Sequence, residues 1–119
     1  MQSEDRRARL CWLAGAVCLL FAIAVVSFLL QPATNAIGRH YEHQADVYGQ
    51  EAIHGIVPDP QKTTVAVWKD VGQAWLEDPH PNPFIEFWLY SHPGIERRAN
   101  FAAHYDPWKD GGQGEFFKQ

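Results

Sequence analysis

Two acidic residues four positions apart are the feature of this sequence that points most directly to chemistry. Glu42 and Asp46 stand at positions i and i+4, so on a helix both side chains lie on the same face. Like charges in this arrangement repel by about 0.2–0.5 kcal/mol on an isolated helix. A cation relieves the repulsion, and a metal ion or a metal-ligating histidine provides one. The alternative is a solvated helix face that carries ordinary acidic residues.

Two histidines flank the first of these acids. His40 and His43 are spaced i, i+3 and can hold a metal between them. However, Glu42 lies about 160° from His40 around a helix of 3.6 residues per turn, so the three side chains cannot converge on one ion. We therefore expect no self-contained zinc site here and interpret both histidines as surface groups.

A second candidate segment, residues 91–98, reads S-H-P-G-I-E-R-R. His92 follows an aromatic run and precedes Pro93, which places its imidazole at the end of an element, where it can point into a cleft. A packed, hydrogen-bonded histidine is the alternative. Arg98 can pair with an oxyanion or with a carboxylate such as Glu42, and the alternative is a surface arginine.

The first segment requires a helix to position it. Apolar residues recur at spacings of four, four, three and four, which indicates one face of an amphipathic helix from Asn35 to about Gly55. Pro32 suits a helix start, Asn35 suits an N-cap, and Gly55 suits a stop. The predicted apolar face consists of Ile37, Tyr41, Ala45, Tyr48 and Ala52.

The rest of the chain predicts an all-α fold. Residues 62–77 show helical spacing, the three prolines in 78–83 predict a rigid extended connector, and 95–105 predict a final short helix. Glycines at 111, 112 and 114 predict a flexible tail. We expect a charged tail at 1–10, a transmembrane helix at 11–30, a folded part at 31–107 and the flexible tail at 108–119.

The transmembrane prediction rests on twenty residues without a charge, Cys11 to Leu30. A helix of that length rises about 30 Å, the thickness of the hydrocarbon core of a bilayer. The alternative is a cleaved signal peptide, because three arginines precede the run and residues 34–36 resemble a poor cleavage site. The run is nevertheless longer than the roughly 7–15 residues that are typical of a signal sequence.

Composition excludes several other classes of protein. The chain has 119 residues, enough for one domain at most, and a net charge of −4 gives no general attraction to nucleic acid. Both cysteines, Cys11 and Cys18, lie inside the apolar run, which excludes a disulfide-stapled secreted scaffold. We expect membrane lipid and no nucleic acid among the partners.

Together these segments resemble the C-terminal part of the integral-membrane zinc metallopeptidases of the CAAX prenyl protease type 1 and HtpX-like group. Members have a transmembrane helix, then N-A-x-S-R-R-[YF]-E-x-x-A-D, then S-H-P-x-x-x-x-R. The corresponding residues are N-A-I-G-R-H-Y-E-H-Q-A-D at 35–46 and the Ser-His-Pro segment at 91–98. This sequence departs from the pattern at Gly38, His40 and Arg97, and the resemblance covers about residues 20–105.

The resemblance implies a role for each matching residue. Glu42 corresponds to the third protein ligand of the catalytic zinc, and Asp46 to the aspartate that orients a zinc-ligating histidine. His92 corresponds to a histidine that helps to stabilise the tetrahedral intermediate, and Arg98 to an arginine of the same cleft. Zinc with three protein ligands keeps one position open for the water that attacks the peptide carbonyl.

The H-E-x-x-H pattern that supplies the other two ligands and the general base does not occur in this sequence. The resemblance therefore implies a C-terminal fragment of a peptidase, inactive alone, whose partners are the missing N-terminal part and a peptide substrate. The alternatives are a stand-alone single-span membrane module with a binding or regulatory role, and a secreted helical protein.

The resemblance also implies an orientation in the membrane. It places this C-terminal part in the cytoplasm, at a bacterial inner membrane. The three arginines that precede the apolar run favour the opposite orientation for an isolated span. We follow the resemblance for a complete enzyme, where preceding spans set the orientation.

Overall fold

The computed structural model describes residues 2–118, with side chains from Glu4 onward. It contains α1 (Gln2–Ala52), α2 (Pro60–Trp75), α3 (Pro83–Leu89) and α4 (Ile95–His104). The described residues include no strand, so the predicted all-α class is confirmed. The chain divides between Pro32 and Ala33 into two compact units.

The first unit contains the apolar run, all of it helical and exposed. This helical run is long and apolar enough to cross a membrane. A signal sequence near an N-terminus has the same length and composition, so these two properties do not separate the alternatives. The segment predicted as a charged tail is also helical from Gln2 onward, with an exposed ion pair of 3.3 Å between Arg9 and Asp5.

The predicted helix start at Pro32 and Asn35 is wrong. α1 runs without a break from Gln2 to Ala52 and includes Pro32. Asn35 does not cap a helix, because its side-chain amide donates a hydrogen bond of 2.6 Å to the carbonyl of Trp88. The Asn35 side chain thus makes a tertiary hydrogen bond instead of the helix cap that the local sequence predicts.

Helix caps follow local sequence at the starts of α2 and α3. The Asp59 carboxylate accepts from the backbone N–H of Lys62 at 2.9 Å, and Pro60 begins α2. The Asn82 side chain likewise accepts from Phe84 at 3.0 Å, so Pro83 starts α3 rather than ending an extended connector. The final helix was predicted over 95–105 and is observed as Ile95–His104.

The core of the second unit is small and partly polar. α2 packs against α4, where Gly72 allows the close approach of Ile95. Among the described residues, the buried apolar side chains are Val47, Ile95 and Ala102. The buried polar ones are Asn35, Gln50, Glu51 and Glu86. Hydrogen bonds and ion pairs must therefore specify much of the packing, because hydrocarbon burial is limited.

The predicted apolar face of α1 is exposed. Ile37, Tyr41 and Tyr48 each keep more than half of their surface accessible, whereas Val47, Gln50 and Glu51 are buried. The helix therefore buries a different, more polar face than its apolar spacing predicts.

The predicted flexible tail packs against α1 as far as it is described. The buried Glu51 carboxylate accepts four hydrogen bonds: from the Tyr105 hydroxyl at 2.5 Å and from three consecutive backbone N–H groups, those of Glu115, Phe116 and Phe117, at 2.6, 2.8 and 2.9 Å. A Cβ at Gly114 would lie 2.6 Å from Glu51 Oε2, so the glycine permits this approach. We call this arrangement the Glu51 clamp.

The clamp predicts a pH window for attachment of the tail. Burial raises the pKa of Glu51, but the hydrogen bonds from Tyr105 and the three backbone N–H groups outweigh it and hold the pKa below 4.5. A lowered pKa gives stability that is present above pH 4.5 and is lost as pH falls through the folded-state value. Burial and Glu51 raise the pKa of Tyr105 above 10.0, so alkaline loss begins only beyond that pH.

Hydrogen exchange at the amides of Glu115, Phe116 and Phe117 measures this window. We expect constant protection, corrected for intrinsic rates, between about pH 4.5 and 10. Protection that fell already at about pH 6 would contradict a carboxylate clamp, since the lowered pKa leaves Glu51 charged there.

Candidate functional site

Arg98 brings the two acidic residues of α1 together with α4. Its Nε and Nη2 atoms donate to the two carboxylate oxygens of Asp46 at 2.9 and 2.6 Å. The same Nη2 lies 3.1 Å from Glu42 Oε2. The cation that the repulsion between Glu42 and Asp46 requires is therefore supplied within the chain, by a guanidinium.

Trp68 of α2 supports the guanidinium from its face. The Arg98 Cζ atom lies 3.7 Å from the centre of the Trp68 ring, a cation–π distance. Planar stacking and two parallel hydrogen bonds both suit arginine and not lysine. Three helices thus hold one charged group, and sequence analysis missed Trp68 because no local pattern links it to residue 98.

The three charged side chains differ sharply in exposure. Asp46 and Arg98 keep only 7% and 11% of their side-chain surface accessible, whereas Glu42 keeps 45%. Asp46 is consequently committed to the fold, since a buried carboxylate needs its charge partner. Glu42 is held from one side and remains accessible.

The two sequence motifs meet where α1 passes residue 91. A Cβ placed on Gly38 would lie 2.7 Å from the backbone carbonyl oxygen of Ser91. Nearby, Arg39 donates to the carbonyl of Tyr90 at 2.6 Å, which ties the end of α3 to α1. The glycine at position 38 is therefore required by this close approach, and the sequence alone shows it only as a departure from the pattern.

Replacing Gly38 with alanine tests this contact. Helix propensity alone predicts a gain of about 1 kcal/mol, but the backbone clash costs about 1–3 kcal/mol, so we expect a net loss in the free energy of unfolding. Gly49 is the matched control, because it lies in the same helix and a Cβ placed on it would meet no neighbouring atom within 4 Å. Gly49→Ala should stabilise by about 1 kcal/mol. Equal gains for both variants in urea unfolding would contradict the contact.

His92 lies apart from this charge cluster. Its Nδ1 is 3.4 Å from the Pro93 carbonyl oxygen, and its ring lines a cavity of about 270 Å³ with Trp75, Glu77 and Leu89. Within residues 2–118, no hydrogen bond or ion pair joins His92 to Glu42, Asp46 or Arg98. The structure thus brings together three of the four predicted site residues.

A cavity of about 480 Å³ adjoins the buried ion pair. It is lined by three arginines, Arg39, Arg97 and Arg98, together with Asp46 and Glu86. Each arginine already has a partner. Arg39 donates to the carbonyls of Phe87 and Tyr90, Arg97 pairs with the Glu86 carboxylate at 3.1 Å, and Arg98 pairs with Asp46. These contacts favour the carboxylate partner over the oxyanion that the sequence left open for Arg98.

The described residues do not form a metal site by themselves. Among residues 2–118 there is no group of three or more histidine, cysteine, aspartate or glutamate side chains that can hold a metal ion. His40 packs edge-on to Tyr41, and His43 packs edge-on to Phe101. Catalytic zinc needs three protein ligands, and the described residues do not form such a group.

Comparison with known proteins agrees with the motifs. Residues 2–106 match the model of peptidase family M48. The chain is also 30% identical over 90 residues to the uncharacterized metalloprotease YhfN of Bacillus subtilis (strain 168). That match covers 76% of this chain and 20% of the relative, so the chain spans about a fifth of the relative's length. No solved structure matches the chain. The chain belongs to peptidase family M48.

Proposed function

We propose that this chain is the C-terminal portion of a membrane-bound zinc metalloendopeptidase of the CAAX prenyl protease type 1 and HtpX-like group. Its contribution is Glu42, as one zinc ligand, and it is inactive alone. The observation that carries the proposal is the half-exposed Glu42 carboxylate, held at one oxygen by Arg98 next to the buried Asp46–Arg98 pair. An accessible carboxylate on a rigid support is what a metal ligand requires.

The residues present do not by themselves fit a catalytic zinc. Three protein ligands are needed, and the described residues provide no cluster of that kind. The remaining ligands and the general base must come from an H-E-x-x-H helix outside this chain. Zinc in such a site would supply an activated water for peptide hydrolysis.

Arg98 and Asp46 act in this proposal as positioning residues. The Nη2 atom of Arg98 contacts both Asp46 and Glu42, so the role of Arg98 is to set the place and orientation of Glu42. Asp46 keeps lone pairs free beside the guanidinium and can accept from a histidine that ligates the metal. His92 is proposed as a group near the substrate carbonyl, from its place in the Ser-His-Pro motif.

The apolar part of α1 is proposed as the membrane anchor of the enzyme. Its side chains are exposed along the whole run from Cys11 to Leu30, which suits contact with lipid on every face. We propose that the second unit lies on the cytoplasmic side of a bacterial inner membrane, as the family motifs imply.

Glu42→Ala tests the ligand assignment in the polypeptide that joins this chain to its H-E-x-x-H segment. We expect loss of bound zinc and of peptidase activity, because one of three ligands is gone. The fall in zinc affinity should exceed the roughly 10–100-fold cost of losing a residue that only supports a ligand. Zinc content is measured by mass spectrometry of the purified protein, and activity with an unfolded protein substrate.

Glu96→Ala is the matched control for this experiment. Glu96 is a similarly exposed glutamate of the same unit, and its ion-pair partner is His80, at 2.6 Å. Zinc and activity should be unchanged in this variant. Full zinc content in Glu42→Ala would remove Glu42 from the ligand set.

A further inference from the structure

α3 has a polarity opposite to that expected for a helix of a water-soluble domain. Its charged residue, Glu86, is buried, while Phe84, Ile85, Phe87 and Leu89 keep between 47% and 67% of their surface accessible. We call these four side chains the α3 apolar surface. Trp75 extends it, because Trp75 and Leu89 line the same small cavity. A contiguous exposed patch of aromatic and aliphatic side chains marks an interaction site.

The inverted orientation is firmly held. The Glu86 carboxylate accepts from the Gly94 N–H at 3.3 Å and pairs with Arg97 at 3.1 Å. On the other side, Asn35 and Arg39 donate to the carbonyls of Trp88 and Tyr90, both at 2.6 Å. Rotating α3 to bury its apolar residues would expose these partners and break the bonds, so the surface stays directed outward.

The same hydrogen bonds tie α3 to the chain just after the apolar run. Asn35 follows Leu30, the last residue of that run, by five residues. Five residues reach at most about 18 Å even when fully extended. The backbone of Trp88 is therefore bonded to a residue that follows the proposed membrane span by only five positions along the chain.

We propose that the α3 apolar surface inserts into the headgroup region of the lipid bilayer that α1 crosses. Exposed Phe and Leu side chains on one side of a helix are the pattern of interfacial helices, and Trp75, which extends the surface, is a residue type that concentrates at the membrane–water boundary. The inference rests on the membrane span of the proposed function. Because α3 is tethered, it needs no independent affinity for the membrane.

Charge next to this surface suits phospholipid. Arg97 lines the same cavity as Phe87 and keeps 71% of its side chain accessible, and its contact with Glu86 uses one Nη atom. The rest of its guanidinium remains available to a lipid phosphate.

Fluorescent labelling of the full chain in phosphatidylcholine vesicles tests the proposal. In a Cys11→Ser, Cys18→Ser background, Phe87→Cys or Ile85→Cys carries an environment-sensitive dye. We expect blue-shifted emission that is lost with lipids brominated near the headgroup and less affected by bromine near the acyl terminus. Both positions are exposed, so their replacement should change stability by no more than about 0.5 kcal/mol.

Two further labelled positions separate this proposal from the membrane span. Leu20→Cys reports the span, and the exposed Lys109→Cys reports unspecific partition of the dye. Quenching at 20 without quenching at 85 and 87 overturns the α3 proposal alone. Quenching at none of these three overturns the span as well. Equal quenching at positions 109 and 87 also overturns the α3 proposal. A blue shift at position 87 without quenching overturns it too, because protein and not lipid then covers the dye.

Discussion

Arg98→Ala is expected to lower the free energy of unfolding of the second unit by about 3–5 kcal/mol, because it leaves the buried Asp46 carboxylate without its charge partner. The side chains of Asp46 and Arg98 are only 7% and 11% accessible, so solvent cannot replace the lost hydrogen bonds without local opening. The stacking on Trp68 is lost in the same step. Urea unfolding followed by tryptophan fluorescence in detergent micelles measures the change.

Two further variants determine why Arg98→Ala destabilises. Arg98→Lys keeps the charge but loses the fork and the stacking, so it should recover only part of the stability. Asp46→Leu combined with Arg98→Met removes both charges and should be markedly more stable than Arg98→Ala alone. Glu96→Ala, which removes an exposed partner of His80, should cost no more than about 0.5 kcal/mol. A loss in Arg98→Ala as small as that would contradict the buried ion pair.

Arg98→Ala is expected to affect stability and activity at the same time. A peptidase that loses activity on Arg98→Ala loses the support of Glu42 at the same time. Restored stability without restored activity in the Asp46→Leu, Arg98→Met variant would identify the pair as positioning residues. Arg98→Lys should then retain more zinc than Arg98→Ala, because the charge beside Glu42 remains.

Glu51→Ala is expected to release the C-terminal segment from α1. Four donors lose their common acceptor, and a single hydrogen bond to a charged group contributes about 1.5–3 kcal/mol net. Detachment lets water satisfy the three backbone N–H groups, so we expect a net cost of about 2–4 kcal/mol. The contacts of Phe116 and Phe117 with Tyr48 should be lost together with the clamp.

Hydrogen exchange at residues 115–117 measures the release directly. Protection should fall to that of an unstructured chain in Glu51→Ala and stay at the wild-type level in Glu115→Ala. The second variant is the control, because the clamp uses the backbone N–H of Glu115 and not its carboxylate. Retained protection in Glu51→Ala would mean that the aromatic contacts hold the segment without the carboxylate.

The helical class and the motif residues follow from local sequence. Prolines at 60 and 83, with Asp59 and Asn82 before them, determine where α2 and α3 begin, because capping is a local interaction. Spacing places Glu42 and Asp46 on one helix face for the same reason. The sequence predicts a metal ion or a metal-ligating histidine as the cation between them, whereas the structure places the Arg98 guanidinium there. Pairing with Glu42 was one of the alternatives that the sequence left open for Arg98.

Tertiary contacts decide what local patterns could not. Asn35 is a residue type that suits an N-cap, yet it lies inside a continuous helix and its side-chain amide donates to the carbonyl of Trp88. Glu51 lies at the end of a predicted helix and Gly114 in a predicted flexible tail, yet their contact joins the two. Ile37, Tyr41 and Tyr48 share an apolar stripe, yet they are exposed, because α1 packs through its polar residues. Spacing along a helix defines which residues share a face, but only the partners that meet the helix decide which face is buried.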